Sequence, residues 1–182
     1  MVRLNRLALA LALPFLVLLS FASASQAAFV TNLTDIHVQA ALQNYFPLRE
    51  YASIARIVLQ EPKVQLEKGS VDIVLMIPVE AKITGDVLHQ GHITMLVNVN
   101  YQPASGDLFL DNPRLQQFEM PGLDAKLLAD LREIIVAMGK TALPLVRIYK
   151  VKKEDLNHSL AKSALKEFKI EENQLRLEFG FK

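Results

Sequence analysis

Histidines and paired carboxylates have the widest chemical range of any residues in this chain, so their spacing is the first question. The four histidines are His37, His89, His92 and His158. His89 and His92 stand three apart in a segment that alternates like a strand, and an odd separation sends them to opposite faces. They cannot share one metal ion without a bulge, and no carboxylate falls at ligand spacing beside His37 or His158. Asp130 and Glu133 could form an acid pair at i and i+3 of a helix, but both fall on its polar side, where a solvated face accounts for them. Glu171-Glu172 reads as the entry to a turn. Neither a Gly-x-Ser-x-Gly elbow nor a Gly-rich phosphate loop occurs. The chain has no cysteine, which excludes thiol nucleophiles, thiolate metal sites and an acylated lipoprotein cysteine. The expectation is a non-enzyme with no catalytic residues, no metal and no cofactor.

What remains is apolar chemistry. Ile73, Leu75 and Ile77 alternate on one segment, Ile93, Met95 and Val97 on the next, and Leu131, Ile135 and Met138 form a helical stripe further on. These nine are the candidate lining of a groove for an apolar ligand. Val74, Met76, Leu88 and Leu96 add apolar residues on the opposite side of the same two segments. Two readings fit them: helices cover part of the second face, or the sheet lines a tunnel or groove. Met76, Met95, Met120 and Met138 suit either, since thioethers adapt to irregular shapes. Burying an acyl chain is worth about 0.8 kcal/mol per methylene, so a groove taking roughly ten methylenes needs no charged clamp.

The elements that must position these residues can be read from periodicity. Thr34 to Phe46 reads as a helix closed by Pro47, with Ile36, Ala40, Ala41, Leu42, Tyr45 and Phe46 at helical spacing. Thr34 is its N-cap, but His37 stands where a capping box needs an acid. Val71 to Lys82 and Val87 to Tyr101 alternate strictly and flank Thr84-Gly85-Asp86, which predicts an antiparallel hairpin of unusually long, strongly coiled strands. Ala52 to Glu67 reads as another strand with a bulge or sheet edge at Pro62, and Asp107 to Met120 as a fourth, broken near Asn112-Pro113. A helix follows, carrying Leu127, Leu131, Ile134, Ile135 and Met138, with its end bracketed by Gly139 and Pro144. A short extended piece, Leu145 to Val151, precedes a third helix from about Glu154 to Lys166. Glu167 to Glu171 and Leu175 to Phe181 close the chain as a hairpin. The fold class is α+β: a long, coiled antiparallel sheet of about six strands wrapped around about three helices.

Arg3 and Arg6, the apolar run from Leu7 to Phe21 and the small residues Ala22 to Ala28 have the order of a secretory signal peptide. The apolar core is about 15 residues, short of the roughly 20 that span a membrane, and Pro14 interrupts it. Cleavage is expected after Ala27, with Ala24 as the second choice. The domains are then a signal peptide, 1–27, and one domain, 28–182, soluble in the periplasm. Removing Arg3 and Arg6 leaves 18 basic against 19 acidic residues, a net charge near −1. Such a balance gives no footprint for nucleic acid and no polybasic lipid anchor.

Certain phrases, in this order, resemble the YceB-like family of bacterial envelope proteins. They are Tyr45-Phe46-Pro47, Ile57-Val58-Leu59-Gln60-Glu61-Pro62-Lys63-Val64, Asn100-Tyr101-Gln102-Pro103-Ala104-Ser105-Gly106-Asp107-Leu108-Phe109-Leu110, Leu143-Pro144-Leu145-Val146-Arg147-Ile148-Tyr149-Lys150-Val151, and the stretch from Leu165 to Leu177. The resemblance covers about residues 33 to 181 and implies a TULIP-like half-barrel, related to tubular lipid-binding domains, with a possible apolar cavity and no catalytic residues. Lipoprotein members carry an acylated cysteine, which this chain lacks. The leading expectation is a periplasmic protein binding a lipid or another apolar molecule, with only transient membrane or envelope-protein contact. The alternative is an envelope scaffold that docks a partner protein.

Overall fold

Two neighbouring segments in which every second residue must leave water decide the architecture. A computed structural model describes residues 29–83, 87–151 and 165–180. In chain order the elements are β1 (Phe29–Thr34), α1 (Asp35–Gln43), β2 (Leu48–Tyr51), β3 (Ala55–Leu59), β4 (Lys63–Leu66), β5 (Ile73–Ile83), β6 (Val87–Gln102) and β7 (Asp107–Glu119). Then come α2 (Ala125–Ala142), a 3-10 turn (Leu143–Leu145), β8 (Arg147–Lys150), β9 (Leu165–Glu171) and β10 (Gln174–Phe179). Strands β2-β3-β5-β6-β7-β8 lie side by side in that order, with β4 also paired to β5, and β1-β10-β9 form a separate three-stranded sheet. The larger, antiparallel sheet curls into a half-barrel.

The class is α+β, but the details depart from the expectation. The larger sheet has the six expected strands side by side, with β4 paired off that path on β5, and a second sheet of three strands stands beside it. Two α-helices, not about three, occur among the described residues. Most of the third expected helix, like the expected signal peptide at 1–27 and the turn at 84–86, lies outside the described residues; its last two, Leu165 and Lys166, open β9. Strands β1 and β2 carry too few alternating aliphatic residues to announce themselves.

Within the hairpin the alternation works as expected. Ile73, Leu75 and Ile77 of β5 stand opposite Val97, Met95 and Ile93 of β6, and all six are buried. Helix α2 closes this inner face with Leu131, Ile135 and Met138. Gly139 does not end that helix but lies inside it, because the backbone continues helical to Ala142. A Cβ at Gly139 would stand 2.9 Å from Met95 Cε and 3.1 Å from its Sδ, so the missing side chain makes room for the thioether.

Pairing of β6 with β7 slips between Thr94 and Met95 and again between Leu96 and Asn98. Opposite the second slip Asn112 takes a left-handed φ of 47°. The expected break at Asn112-Pro113 is thus a bulged stretch of one continuous strand, and such bulges add the coiling a half-barrel needs.

The segment from Ala52 to Glu67, expected as one strand, is two. Both pair with β5, and the gap falls where proline supplies no donor on either side. Pro78 of β5 faces that gap, and its carbonyl accepts from the Gln60 N–H at 2.9 Å. Helix α1 repairs the far side. The Gln39 amide donates to the Pro62 carbonyl at 2.6 Å and accepts from the Val64 N–H at 3.1 Å. Gln43 and Gln39 each donate to the Glu61 carboxylate at 2.9 Å, and these bonds hold its pKa below the ordinary carboxylate value. The same helix buries Val38 and Leu42, while Ile36, expected on the apolar side, is exposed. At its start His37 takes the place of the missing acid: Nδ1 accepts from the Thr34 N–H at 3.2 Å.

The smaller sheet joins the larger through one core that includes Leu33, Ile170, Leu175, Leu177 and Phe179. Tyr101 meets Phe179 edge to face, with centroids 5.2 Å apart. Among the described residues the buried Tyr101 hydroxyl has no hydrogen-bond partner, and burial raises its pKa.

Three stability tests follow from this geometry. Gln39→Ala leaves the Pro62 carbonyl and the Val64 N–H unpaired and is expected to cost about 1–3 kcal/mol in urea unfolding. Glu61, depressed in the fold, contributes above its unfolded pKa and loses that contribution as pH falls through the folded value. Melting temperature should therefore drop less steeply in acid for Glu61→Gln than for the unaltered chain. Gly91→Ala would place a Cβ 2.1 Å from the Glu119 carbonyl oxygen. Backbone must move to admit it, and a loss of about 1–3 kcal/mol or more is expected in the same measurement.

Candidate ligand groove

Among the described residues strand β2 is a short edge strand, paired only with β3. Its register puts Leu48 and Glu50 opposite Leu59 and Ile57, both fully buried, so Leu48 and Glu50 lie on the inner side of the sheet and Arg49 and Tyr51 on the outer. Helix α2 passes this edge without covering it. The result is an open groove of about 440 Å³ between Leu48, Arg49, Glu50 and Ala52 on one side and Ile134, Ala137, Met138, Thr141 and Ala142 on the other. That volume lies within the roughly 300–1,000 Å³ of small-molecule sites.

One helix therefore serves two surfaces. Leu131, Ile135, Met138 and Gly139 face the core, and the adjacent stripe of Ile134, Ala137 and Thr141 faces the groove. Of the nine residues expected to line a ligand site, Met138 alone lies on this groove. Ile73, Leu75, Ile77, Ile93, Met95, Val97, Leu131 and Ile135 are at most 1% exposed and belong to the packed core. The sheet and α2 close directly on each other there. Sequence reasoning missed Leu48, Ala52 and Ala137. Ile134 was the available signal, an apolar residue on the edge of the helical stripe that is only partly buried against the core.

A second cleft, about 540 Å³, runs between α1 and the 3-10 turn beside Asn44, Tyr45, Phe109, Leu145 and Arg147. It is bridged by the Tyr45 hydroxyl, which donates to the Leu145 carbonyl at 2.8 Å. Behind it Asp107, only 7% exposed, stands 3.5 Å from Arg147 Nη1 and 3.8 Å from Lys150 Nζ. These contacts tie β7 to β8, and pairing a buried carboxylate with cations from the next strand is a structural task. A third, polar cleft by Lys68, Glu171, Glu172 and Arg176 carries both signs. Lys169 and Arg176 flank Glu171 at 2.8 and 3.9 Å, and hydrogen bonding to Lys169 holds the Glu171 pKa low.

The histidines stand apart. His89 is opposite inward-facing Ala81 and His92 opposite outward-facing Pro78, so the two do occupy opposite faces. His92 Nε2 lies 3.2 Å from the Glu119 carboxylate. Among the described residues no three His, Asp or Glu side chains are grouped to hold a metal ion. His158 lies outside them.

Core and groove separate by substitution. Leu75→Ala should cost about 2–5 kcal/mol in urea unfolding because it opens a cavity in a packed interior. Ala137→Glu, on the exposed groove wall, should change stability by no more than about 0.5 kcal/mol.

A comparison with curated proteins gives no match. A family model matches residues 31–174, most of the described chain, and the protein therefore belongs to the family described as protein of unknown function DUF1439.

Proposed function

We propose that this protein is exported to the periplasm, is not an enzyme, and holds a lipid or another apolar ligand in the groove between β2 and α2. The observation that carries this reading is the groove itself: about 440 Å³, open to the surface and walled by Leu48, Ala52, Ile134, Ala137 and Met138. Glu50 and Thr141 border the same space and offer polar partners for one end of an amphiphile. Aliphatic walls give affinity through buried methylenes, about 0.8 kcal/mol each, and the few polar groups give orientation. The amino-terminal pattern of Arg3, Arg6 and the apolar run supports export, and the resemblance to YceB-like and tubular lipid-binding proteins points the same way.

A second reading rests on the free edge of β2, where an extended segment of a partner could add as a strand. The two readings part in one experiment. The protein purified from its host is extracted with organic solvent and analysed by mass spectrometry, beside Ala137→Trp, which fills the groove from an exposed position. One apolar molecule per chain, lost in Ala137→Trp with the melting temperature preserved, is the expected result. Repeated recovery of no stoichiometric apolar compound defeats the ligand reading, and a co-purifying protein in its place favours strand addition.

A further inference from the structure

We infer that the groove between β2 and α2 selects an amphiphile with an aliphatic tail and a primary ammonium head of net positive charge, and discriminates against an anionic head. This selection rests on the groove holding a ligand, as proposed above, and adds the charge of the head group. Glu50 stands opposite fully buried Ile57, so its side chain lies on the inner side of the sheet and lines the groove. It is exposed, and among the described residues its carboxylate has no ion pair and no hydrogen bond. Thr141 lines the facing wall on α2. A threonine hydroxyl in a helix can bond back to the carbonyl four residues earlier. Among the described residues the Thr141 hydroxyl makes no such bond and stays uncommitted.

The sign of the site depends on which charges reach it. Arg49 borders the groove through its strand, but it stands opposite Val58, between buried Ile57 and Leu59, and so points to the outer face. Arg56 is on that outer face too, where its guanidinium lies 4.9 Å above the Tyr51 ring. On α2, Asp130 stands one turn before Ile134 on the groove-facing stripe, half-buried and unpaired among the described residues. Lys126 is a further turn away, about 12 Å along the axis from Ile134, beyond one screening length. Glu133 and Lys140, seven residues apart on the neighbouring solvent face, have opposite signs and offset each other. Among the described residues the groove therefore has acids toward it and no cation turned into it.

Aliphatic walls take up any chain by burial and do not distinguish its head. Charge makes that distinction. A primary ammonium offers three donors, enough for the Glu50 carboxylate and the Thr141 Oγ1 with water taking the third. A carboxylate head brings no donor and a like charge. Glu50 also guards the β2 edge, as inward-pointing charges do. That task concerns strand pairing alone and leaves head-group preference unmoved, so the two roles separate by experiment.

The test is isothermal titration calorimetry of the purified protein with decylammonium, decanol and decanoate, each below its micelle-forming concentration. The three share one chain and differ in head-group charge, and affinity should fall in that order. An exposed ion pair is worth up to about fivefold and a like-charge contact a similar factor, so decylammonium should bind about tenfold tighter than decanoate, the gap narrowing with salt. Glu50→Gln should bring those two within about twofold of each other, and Glu50→Lys should invert the order. Circular dichroism checks that both variants fold, and size-exclusion chromatography reads any pairing of the β2 edge. Equal affinity for the three probes overturns the head-group inference and leaves the groove reading in place. So does a preference that survives Glu50→Gln, whether or not that variant self-associates. A preference for decanoate that is lost in Arg49→Gln assigns the head to the guanidinium and overturns it as well. Binding of none of the three, or binding that Ala137→Trp does not weaken, defeats the groove reading and this inference together.

Discussion

Met95 fills the space that Gly139 leaves empty. This contact sets how close α2 comes to the sheet, and much of the remaining structure follows from that distance. A helix held back by one Cβ would stand a few tenths of an ångström further out, and interiors packed to crystal density transmit such shifts. With the glycine in place, Leu131 and Ile135 reach full burial in the core. The half-barrel is therefore closed at its centre, and any space a ligand could use is displaced to where the helix runs off the sheet.

That displacement follows from how few helices cover the sheet among the described residues. Helix α1 is committed elsewhere. Its Gln39 replaces the ladder bonds that Pro62 cannot make, so the helix lies along the edge of β4 and on β1. Covering an open edge with a helix is one of the ordinary ways to keep a sheet from pairing with a neighbour. Among the described residues only α2 is left for the inner face, and it meets β2 without covering it. The β2 edge is managed differently: four residues, with Glu50 turned inward where a second strand would have to pack. The groove between β2 and α2 arises from these two solutions.

How much of this was legible in the sequence depended on which interactions were local. The β5–β6 hairpin was readable because Ile73 to Ala81 and Ile93 to Val99 alternate with a period of two, and burial imposes that period. Helix α2 was readable from Leu131, Ile135 and Met138. Strand β2 was not, since Leu48-Arg49-Glu50-Tyr51 holds one aliphatic residue and is a strand only by pairing with β3. The splitting of Ala55 to Leu66 into two strands depended on Pro78, sixteen residues beyond Pro62 and across the sheet. Gly139 was read as a helix end because glycine usually ends helices. Its actual role is set by Met95, a tertiary partner that no local pattern announces. The candidate lining rested on the same kind of local pattern. Alternation identifies residues that leave water, but whether they leave it for a helix or for a ligand depends on the distance between layers.

An edge groove has consequences that an interior tunnel does not. A molecule held among Leu75, Met95 and Ile135 could exchange only by opening the most buried part of the domain, at a cost near that of global unfolding. Between β2 and α2 exchange requires much less. Strand β2 has one hydrogen-bonded neighbour and few buried side chains, so its opening free energy belongs to the low end of the range within a fold. The groove wall made by α2 stays fixed, because the other side of the helix is anchored by Gly139 on Met95. A rigid wall facing a weakly held strand admits ligands of varied length without disturbing the core. The proposed ligand class, apolar and recognised by burial more than by specific bonds, is the one such a groove accommodates.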